Sequence, residues 1–358
     1  MHMKRVFLYA YDRQNLGDDL FVHTIKKRYP DVQFYLWTGA ENRKTFAALP
    51  NLKVIDKDSR FVHLLQKLRP SLVPRYKGLL EKRCDAVVYI GGSIFIEYPN
   101  WEQICQWWEY EAKNRPFYVL GANFGPWHTE AYRQKMAEIF RNCRDICFRD
   151  RYSFALFPDV ETVRQAPDIL FSYPMPQVPV KEKQIFVSVI DCAGRDDLSR
   201  MDARYVANMA KLLWGYLDEG CNLILASFCK EEGDEAGIEK IIAAMGCSGH
   251  PGIRTLCYDG RNATEMTTAI AESEFVISTR FHGVILAMNA GRPVLPILYS
   301  DKTRHVLDDL NFRGAVLDLR DPADWHPVHP GKDPVLNGDV KLEAQEQFRL
   351  LDQKLSGK

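Results

Sequence analysis

Short apolar segments alternate with amphipathic segments along almost the whole of this 358-residue chain. Each apolar segment has the length of one buried strand, and each amphipathic segment has the length of a helix. A parallel strand needs a crossover connection, usually a helix, before the next strand, so this alternation predicts parallel sheets covered by helices. The chain is therefore expected to be an α/β protein, and its length fits two domains of roughly 150–180 residues.

The alternation stops once, at the proline-rich segment Ser172–Pro179, which is typical of an interdomain linker. We therefore expect one α/β domain over residues 1–175, a second over residues 183–335, and a C-terminal helix within residues 341–358. The carboxyl ends of the strands in both domains are expected to line a cleft between them.

The predicted strands are Arg5–Tyr9, Val32–Trp37, Lys53–Ile55, Ala86–Ile90, Phe117–Leu120, Asp145–Phe148, Ile185–Ile190, Asn222–Ala226, Thr255–Tyr258, Phe275–Ser278 and Val294–Ile297. The predicted helices are Asp19–Tyr29, Phe61–Leu68, Trp101–Asn114, Glu130–Asn142, Tyr152–Phe157, Asp202–Glu219, Asp234–Met245, Asn262–Glu272, His282–Asn289, Thr303–Leu310 and Lys341–Lys354.

The composition narrows the possible partners. Basic and acidic residues both number 47, so the formal net charge is zero and no nucleic-acid partner is expected. The nine cysteines have no Cys-x-x-Cys or zinc spacing, so we expect reduced, buried thiols and no metal site. No signal-peptide pattern and no bilayer-length apolar run is present, which favours a cytoplasmic protein.

The segment Ser278-Thr279-Arg280-Phe281-His282 is the most informative local sequence. It follows a buried strand and opens a helix, the position at which open α/β folds bind ligands and at which a helix dipole favours anions. Arginine offers a planar fork for oxyanions, and histidine holds or donates a proton near neutral pH. A surface arginine beside a structural histidine is the alternative, but the combination favours an anion site.

Three predicted strands of the first half end in glycine-bearing turns: Asn15-Leu16-Gly17-Asp18, Gly91-Gly92-Ser93 and Gly121-Ala122-Asn123. Glycine lets the backbone approach a ligand closely, and N–H groups there can hold an anion, although a simple turn would also explain each sequence. None of them is a dinucleotide or Walker fingerprint, so NAD and ATP are not expected. Asp18 or Asp19 is also expected to cap the following helix.

Further charged residues stand close to predicted strand ends. Arg149 follows Asp145–Phe148 and Lys302 follows Val294–Ile297, so both are candidate anion ligands. A surface charge cluster in which Asp150 caps the next helix is the alternative for Arg149. Glu97 follows the double glycine Gly91-Gly92 and is a candidate carboxylate at the same edge of the sheet, where the strands end.

Taken in chain order, these motifs resemble the polysaccharide pyruvyl transferase family. The matching positions are Asn15-Leu16-Gly17-Asp18, Gly91-Gly92-Ser93, Gly121 to Pro126, Arg149-Asp150 with Ser153, Asp168, Ser278 to His282, and Tyr299-Ser300-Asp301-Lys302. Two departures are small: many relatives have a third glycine in place of Ser93, and leucine is common in place of Phe281.

The resemblance implies a GT-B-like fold: two Rossmann-like domains facing across a cleft, with the C-terminal helix packing back on the first domain. It also implies transfer of pyruvate from phosphoenolpyruvate to two hydroxyls of one sugar, giving a cyclic ketal and phosphate, without cofactor or metal. The residues that would bind the donor are Arg280, His282, Lys302, Arg149 and Ser278. The acceptor side would be formed by Asn15, Gly17, Gly91, Gly92, Ser93, Gly121 and Asn123. His282 would act as general acid or phosphate ligand, and Asp18 or Glu97 as general base.

Two other functions stay open. A GT-B glycosyltransferase would place its nucleotide-sugar diphosphate at the same helix N-terminus, although no clear glutamate follows Phe275–Ser278 to bind ribose. A non-catalytic sugar- or anion-binding protein would be expected to have lost Arg280, His282 or Lys302. The acceptor is expected to be lipid-linked or nucleotide-linked. The basic segment Arg69–Lys82 is interpreted as an acceptor loop with possible peripheral contact to the inner face of a membrane, or else as a solvated charge run.

Overall fold

The computed structural model of the protein describes residues 3–195, 198–330 and 339–356. The chain forms two compact units, each built on its own parallel sheet. The first unit comprises residues 1–13, 18–172 and 340–358, and the second comprises residues 14–17 and 173–339. The segment 14–17, which precedes and opens the first helix, thus belongs to the second unit.

The strands are β1 Arg5–Tyr9, β2 Gln33–Thr38, β3 Leu52–Asp56, β4 Ala86–Ile90, β5 Ser93–Phe95, β6 Phe117–Phe124, β7 Asp145–Phe148, β8 Val163–Gln165, β9 Lys181–Ser188, β10 Asn222–Ser227, β11 Ile253–Cys257, β12 Ser273–Ser278, β13 Val294–Leu298 and β14 Leu317–Asp318. The helices are α1 Leu16–Arg28, α2 Asn42–Thr45, α3 Arg60–Leu68, α4 Leu72–Glu81, α5 Trp101–Asn114, α6 Glu130–Phe140, α7 Arg151–Ala155, α8 Asp202–Asp218, α9 Asp234–Met245, α10 Ala263–Glu272, α11 Phe281–Asn289, α12 Asp301–Asp309, α13 Val340–Glu343 and α14 Arg349–Ser356.

The sheet of the first unit has the strand order β3-β2-β1-β4-β6-β7-β8, with β5 paired to β6, and all pairings are parallel. This is the doubly wound order 3-2-1-4-5-6 extended by one strand, and its direction of winding reverses between β1 and β4. The apolar face of β6 is covered by α5 and α6 through aromatic side chains, including Trp108 and Phe140. Trp108 is therefore a core residue.

The sheet of the second unit has the order β11-β10-β9-β12-β13-β14 and is also parallel throughout. It repeats the doubly wound order, and its winding reverses between β9 and β12. Two parallel α/β sheets, each with Rossmann-like topology, confirm the predicted fold class.

The C-terminal segment joins the first unit. Instead of the single predicted helix over Lys341–Lys354, α13 and α14 flank a 3₁₀ segment, Ala344–Phe348. The tighter turn buries Gln347 completely. Its Nε2 donates to the carbonyls of Ala166 at 2.8 Å and Pro167 at 3.1 Å, and its Oε1 accepts from the N–H of Gly121 at 2.9 Å.

Other local predictions were wrong for identifiable reasons. Helix α1 begins at Leu16, so Asp18 and Asp19 lie inside its first turn rather than capping it, and Asn15 Oδ1 accepts the Gly17 N–H at 3.1 Å. The predicted loop Arg69–Lys82 is mostly helix α4, because Pro74 occupies the first turn, where a missing N–H costs nothing. Strands β5, β8 and β14 are two or three residues long, too short for a periodic signal.

Two further predictions agree with the structure. Asp150 caps α7 by accepting the Ser153 N–H at 2.7 Å. All nine cysteines are free thiols that are buried or partly buried.

Candidate functional site

In the second unit, two serines meet where the sheet reverses its winding. Ser188 ends β9 and Ser278 ends β12, and their hydroxyl oxygens are 2.6 Å apart and fully buried. Ser188 Oγ accepts the backbone N–H of Arg280 at 3.2 Å, and Ser278 Oγ donates to the carbonyl of Arg280 at 2.8 Å. The pair fixes the backbone that opens α11. Ser278 therefore bonds to groups within the second unit. It contributes to the site by holding the backbone of Arg280 in place.

Two glycines let backbone and side chains approach closely at this corner. A Cβ on Gly283 would lie 2.2 Å from Ser278 Oγ, and a Cβ on Gly17 would lie 1.8 Å from His282 Nδ1. Neither position can hold a larger residue without displacing its neighbour. Gly17, predicted as a ligand-approach glycine, thus provides the space that the His282 ring occupies in the first turn of α11.

The side chain of Arg280 is buried, with only 8% of it accessible, so the alternative of a surface arginine does not hold. Its Nε donates to Asp234 Oδ2 at 3.0 Å, its second terminal nitrogen donates to Asp234 Oδ1, and its Nη1 donates to Glu232 Oε2 at 2.5 Å. Burial opposes the charged guanidinium, but Asp234 and Glu232 outweigh burial and raise its pKa. Arg280 is therefore a charged, internally paired group at the strand-to-helix junction.

Asp234, predicted from the sequence only as the first residue of a helix, is the central acceptor of this network. It begins α9, is fully buried, and its Oδ2 also accepts the N–H groups of Phe228 and Cys229, both at 2.9 Å. Burial raises the pKa of Asp234, and Arg280 opposes that rise. The carboxylate thus ties the end of β10 to the start of α11. An acidic residue at a helix start was the only sequence signal, and it fits ordinary dipole complementarity equally well.

A second group of cations lies beside this pair. Arg195 donates to Glu232 Oε2 at 2.7 Å, and its guanidinium lies 5.6 Å from the ring centre of Tyr299. Lys302 Nζ lies 5.6 Å from the same ring centre. Burial alone would raise the pKa of the Tyr299 phenol, but the charges of Lys302 and the two arginines outweigh it and lower this pKa. The surroundings of Tyr299 are therefore strongly positive.

Lys302 differs from the two arginines in its pairing. Within the described residues it forms no ion pair with a carboxylate, whereas Arg195 and Arg280 share Glu232. It lies in the first turn of α12, one residue after Asp301. An ammonium group that is half-buried and paired only with an aromatic ring is suited to bind an anionic ligand.

In the first unit, a network of polar side chains connects two of the three predicted glycine turns, Gly91-Gly92-Ser93 and Gly121-Ala122-Asn123. Arg149 follows β7 and donates to Asp168 Oδ2 at 3.0 Å and to Asn123 Oδ1 at 2.7 Å, and Ser93 Oγ donates to the same Asn123 oxygen at 3.1 Å. A Cβ on Gly92 would lie 2.8 Å from the Arg149 guanidinium. These hydrogen-bonded side chains join the carboxyl ends of the strands on one edge of the sheet.

Arg149 is 3% exposed and Asp168 is fully buried, so Arg149 does not belong to a surface charge cluster, which was the alternative interpretation. Burial raises the pKa of Asp168, and Arg149 opposes that rise. The two form a buried ion pair that orders the rim of this unit.

Sequence comparison gives the family of the chain. The sequence profile of the polysaccharide pyruvyl transferases matches residues 15–301. The chain belongs to the polysaccharide pyruvyl transferase family. Among curated proteins it is similar to the amylovoran biosynthesis protein AmsJ of Erwinia amylovora, with 21% identity over 300 residues that cover 77% of this chain and 72% of AmsJ.

Solved structures show the same fold at low identity. The UDP-GlcNAc 2-epimerase of Neisseria meningitidis, bound to UDP-GlcNAc, superposes with a TM-score of 0.56 and 10% identity over 99% of this chain and all of the other. Anabaena HepE, in complex with UDP and glucose, gives a TM-score of 0.54 and 12% identity over 99% of this chain and 98% of the other. These likenesses confirm the GT-B-like architecture of this pyruvyl transferase family member.

The two predicted general bases have different surroundings in this family member. Glu97 accepts the Thr129 N–H at 2.8 Å, the Thr129 hydroxyl at 2.5 Å and the His128 N–H, so both its oxygens hold the entry to α6. Slight burial opposes them, but these hydrogen bonds lower the pKa of Glu97, which makes it a weaker base. Asp18 is half-buried in the first turn of α1, and it is one of the charges that, after burial, raise the pKa of Tyr89.

Two general features of this pyruvyl transferase family member concern metals and membranes. Over residues 3–195, 198–330 and 339–356, no cluster of three or more His, Cys, Asp or Glu side chains is arranged to hold a metal ion. In the same described part of the chain, no helix has both the length and the apolar character needed to span a bilayer.

Proposed function

We propose that the protein transfers pyruvate from phosphoenolpyruvate to two hydroxyls of one sugar, forming a cyclic ketal and free phosphate during polysaccharide assembly. The observation that carries the proposal is the cationic group Arg195, Arg280 and Lys302 around Tyr299, in a chain of zero net charge. Membership of the pyruvyl transferase family supports the reaction class.

The charges of the second unit suit a doubly anionic donor. Three cations lie near two carboxylates, Glu232 and Asp234, so the group keeps one excess positive charge before a donor binds. Lys302 has no ion-pair partner among the described side chains and is therefore our principal donor ligand. Arg280 and Arg149, predicted as direct ligands, are proposed instead to position their strand ends, because each is buried in an ion pair.

The proposed chemistry balances without a redox partner or metal. A proton adds to the methylene carbon of phosphoenolpyruvate, which leaves the central carbon electrophilic. One sugar hydroxyl adds to that carbon and loses its proton. The C–O bond to phosphate then breaks, and phosphate leaves with its oxygen. A second hydroxyl adds to the same carbon and closes the ketal, so the two hydroxyl protons equal the one gained by carbon and the one carried by phosphate.

His282 and Asp18 are the proposed proton carriers. His282 lies in the first turn of α11 against Gly17, where it can protonate the donor or bind its phosphate. Asp18 is preferred to Glu97 as base because the hydrogen bonds of Glu97 lower its pKa.

The proposal is tested by measuring phosphate release from phosphoenolpyruvate with a panel of lipid-linked and nucleotide-linked sugars. We expect release only with an acceptor that has two suitably placed hydroxyls, and no loss of activity with a chelator. Transfer from UDP- or GDP-sugars without consumption of phosphoenolpyruvate would establish a glycosyltransferase instead. Binding of sugar or phosphoenolpyruvate without any turnover across the panel would favour the non-catalytic alternative.

The variant His282→Gln distinguishes the three roles that His282 could have: general acid, phosphate ligand or structural residue. Lys302→Gln is its comparison. Loss of a general acid lowers kcat by about 10²–10⁴-fold while donor binding is retained. Loss of a phosphate ligand chiefly weakens donor binding, which is the result expected for Lys302→Gln. If His282→Gln only lowers the melting temperature and folded enzyme is fully active, His282 does not belong to the site.

A further inference from the structure

Helices α3 and α4 of the first unit expose several large apolar side chains to solvent. Phe61 is 53% exposed, Leu64 54%, Leu68 65% and Leu79 59%. Soluble domains seldom leave such side chains clustered in the open unless the surface binds something. We call the exposed surface of residues 60–83 the α3–α4 face.

Helical spacing makes the apolar side chains of α3 neighbours. Phe61, Leu64 and Leu68 are three and seven positions apart, so they share one stripe of the helix, while Val62 alone is buried against the unit. The apolar stripe of α3 therefore faces solvent instead of packing against the core of the first unit.

The stripe continues onto α4. The rings of Phe61 and Tyr76 contact each other edge to face with their centres 5.2 Å apart, and Leu79 lies three positions after Tyr76 on the same side of its helix. Helix α3 has a capped start, since Ser59 Oγ accepts the Val62 N–H at 3.3 Å. The exposed apolar side chains of α3 and α4 are thus connected through the Phe61–Tyr76 ring contact.

Cations surround this apolar surface. Six of them are exposed and form no ion pair with any described carboxylate: Arg60, Lys67, Arg69, Arg75, Lys82 and Arg83. The one acidic residue within positions 60–83 is Glu81, which is fully buried and bonded to the Tyr9 hydroxyl. In a chain of zero net charge, this segment carries a local excess of uncompensated positive charge.

We propose that the α3–α4 face docks on the surface of an anionic lipid bilayer, with its leucines and Phe61 entering the headgroup region and its cations contacting lipid phosphates. Exposed aliphatic side chains rimmed by Lys and Arg match the two contributions to interfacial binding, apolar burial and attraction to anionic lipid. A nucleic acid would bind through stacking on aromatic side chains and through phosphate contacts, and exposed leucines would add nothing to that binding. This inference is independent of the pyruvyl transfer chemistry, because it uses no residue of the proposed site.

The test is co-sedimentation of the full chain with vesicles of pure phosphatidylcholine, and with vesicles in which about one third of the lipid is phosphatidylglycerol. We expect at least about tenfold stronger binding to the anionic vesicles, weakened by added salt because exposed charges are screened. Leu64→Ser with Leu68→Ser should lower this binding by about tenfold or more. The matched control is Leu342→Ser, which removes a leucine of the first unit that is 66% exposed outside the α3–α4 face.

A second pair of variants tests the charges. Arg69→Gln with Arg75→Gln should lower binding to anionic vesicles by about tenfold, since each cation near such a surface contributes independently. The matched control, Lys113→Gln with Arg141→Gln, removes two exposed cations elsewhere in the same unit and should leave binding unchanged. Unchanged melting temperatures exclude unfolding as the cause.

Three results would overturn the proposal. These are equal binding to neutral and anionic vesicles, no binding to either, and controls that lose as much binding as the α3–α4 variants. A wild-type dimer in solution that Leu64→Ser with Leu68→Ser dissociates would assign the surface to a second copy of the chain instead.

Discussion

Arg280 shows at the scale of single residues how the structure changes the interpretation of a motif. Its position after β12 and before α11 was readable from the sequence, but its partner Asp234 lies 46 residues earlier and is brought to it only by the packing of β10, β9 and β12. A buried guanidinium paired with two carboxylates stabilises the second unit, in addition to any role that it has in ligand binding.

Arg280→Ala is therefore expected to destabilise the protein strongly. It leaves Asp234 buried without its cation, and removing one partner of a buried ion pair costs about 3–5 kcal/mol. The free energy of unfolding, from denaturant titration, measures the effect. Because Arg280 opposes the burial that raises the pKa of Asp234, the loss should be smaller in acid, where the carboxyl is neutral.

The matched control for this prediction is Arg261→Ala. Arg261 pairs with Asp259 at 3.0 Å, but its side chain is 67% exposed, so its loss should cost less than about 1 kcal/mol. Equal losses for the two variants would contradict the structural role of Arg280.

Gly17→Ala should disturb His282 specifically. The added Cβ would lie 1.8 Å from Nδ1 of the ring, so the ring or the start of α1 must move. We expect a fall in kcat of at least about tenfold, with a smaller change in KM for phosphoenolpyruvate. Gly194→Ala is the control, because among the described residues its Cβ would meet only Asp191 Oδ2 at 3.6 Å, an ordinary contact distance. A Gly17→Ala enzyme with unchanged kcat would remove His282 from the catalytic step.

At the scale of secondary structure, the C-terminal segment determines the geometry of strand ends far from it in sequence. Gln347 joins β6 to the chain after β8, beside Asp168 and therefore beside the Arg149 ion pair. It lies beyond residue 301, where the family match ends. The segment completes the first unit rather than following it.

Gln347→Leu should cost about 2–3 kcal/mol of unfolding free energy, because the Gly121 N–H and the Ala166 carbonyl lose their buried partners. Denaturant titration of the variant gives this value. Gln353→Leu, an exposed substitution in α14, is expected to lie within about 0.5 kcal/mol of wild type. A Gln347→Leu protein as stable as this control would show that the segment is dispensable.

A buried acidic cluster links β1, α4 and α5. Glu111 Oε1 lies 3.4 Å from the Tyr9 hydroxyl and 3.3 Å from Lys77 Nζ, and the Glu81 carboxylate is hydrogen-bonded to the same hydroxyl. Burial, followed by the charge of Glu81, raises the pKa of Glu111 from 4.5 to about 7. The folded protein therefore holds a proton at Glu111 that the unfolded chain releases above about pH 4.5.

The raised pKa of Glu111 predicts the direction in which the free energy of unfolding changes with pH. The stabilising contribution of Glu111 is fully present below pH 4.5, its unfolded value, and is lost as the pH rises through about 7. Its size is about 3–4 kcal/mol, since one pKa unit corresponds to about 1.4 kcal/mol. Glu111→Gln should remove this part of the slope of unfolding free energy against pH, whereas Glu102→Gln, an exposed change in the same helix, should retain it. Identical slopes in both variants and wild type would contradict the assignment.

The sequence predicted most elements but few of the partners. β1, β4, β7, α5 and α9 have the predicted ends, because periodicity is a local property. α4 was mistaken for a loop because Pro74 and its charged residues hide a single apolar stripe. The carboxylates paired with Arg280 could not be chosen from sequence, since Asp234 and Glu232 look like an ordinary acidic first turn until the sheet order brings them beside β12.

At the scale of the whole molecule, the chain repeats one topology twice: both sheets contain the order 3-2-1-4-5-6, which the first extends by one strand, with polar side chains gathered at the carboxyl ends of their strands. The second unit concentrates cations around Tyr299, and the first orders its rim through the Arg149–Asp168 pair. Family membership and these charges together support pyruvyl transfer from an anionic donor.

The most direct test of that central claim follows the carbon atoms of the donor. Phosphoenolpyruvate labelled with ¹³C at its central and methylene carbons is incubated with enzyme and a diol sugar acceptor in D₂O, and the product is observed by NMR. The account predicts a labelled ketal carbon bonded to two sugar oxygens, one deuterium in its methyl group, and one phosphate released per ketal. Labelled free pyruvate released with phosphate while the sugar stays unchanged would contradict it.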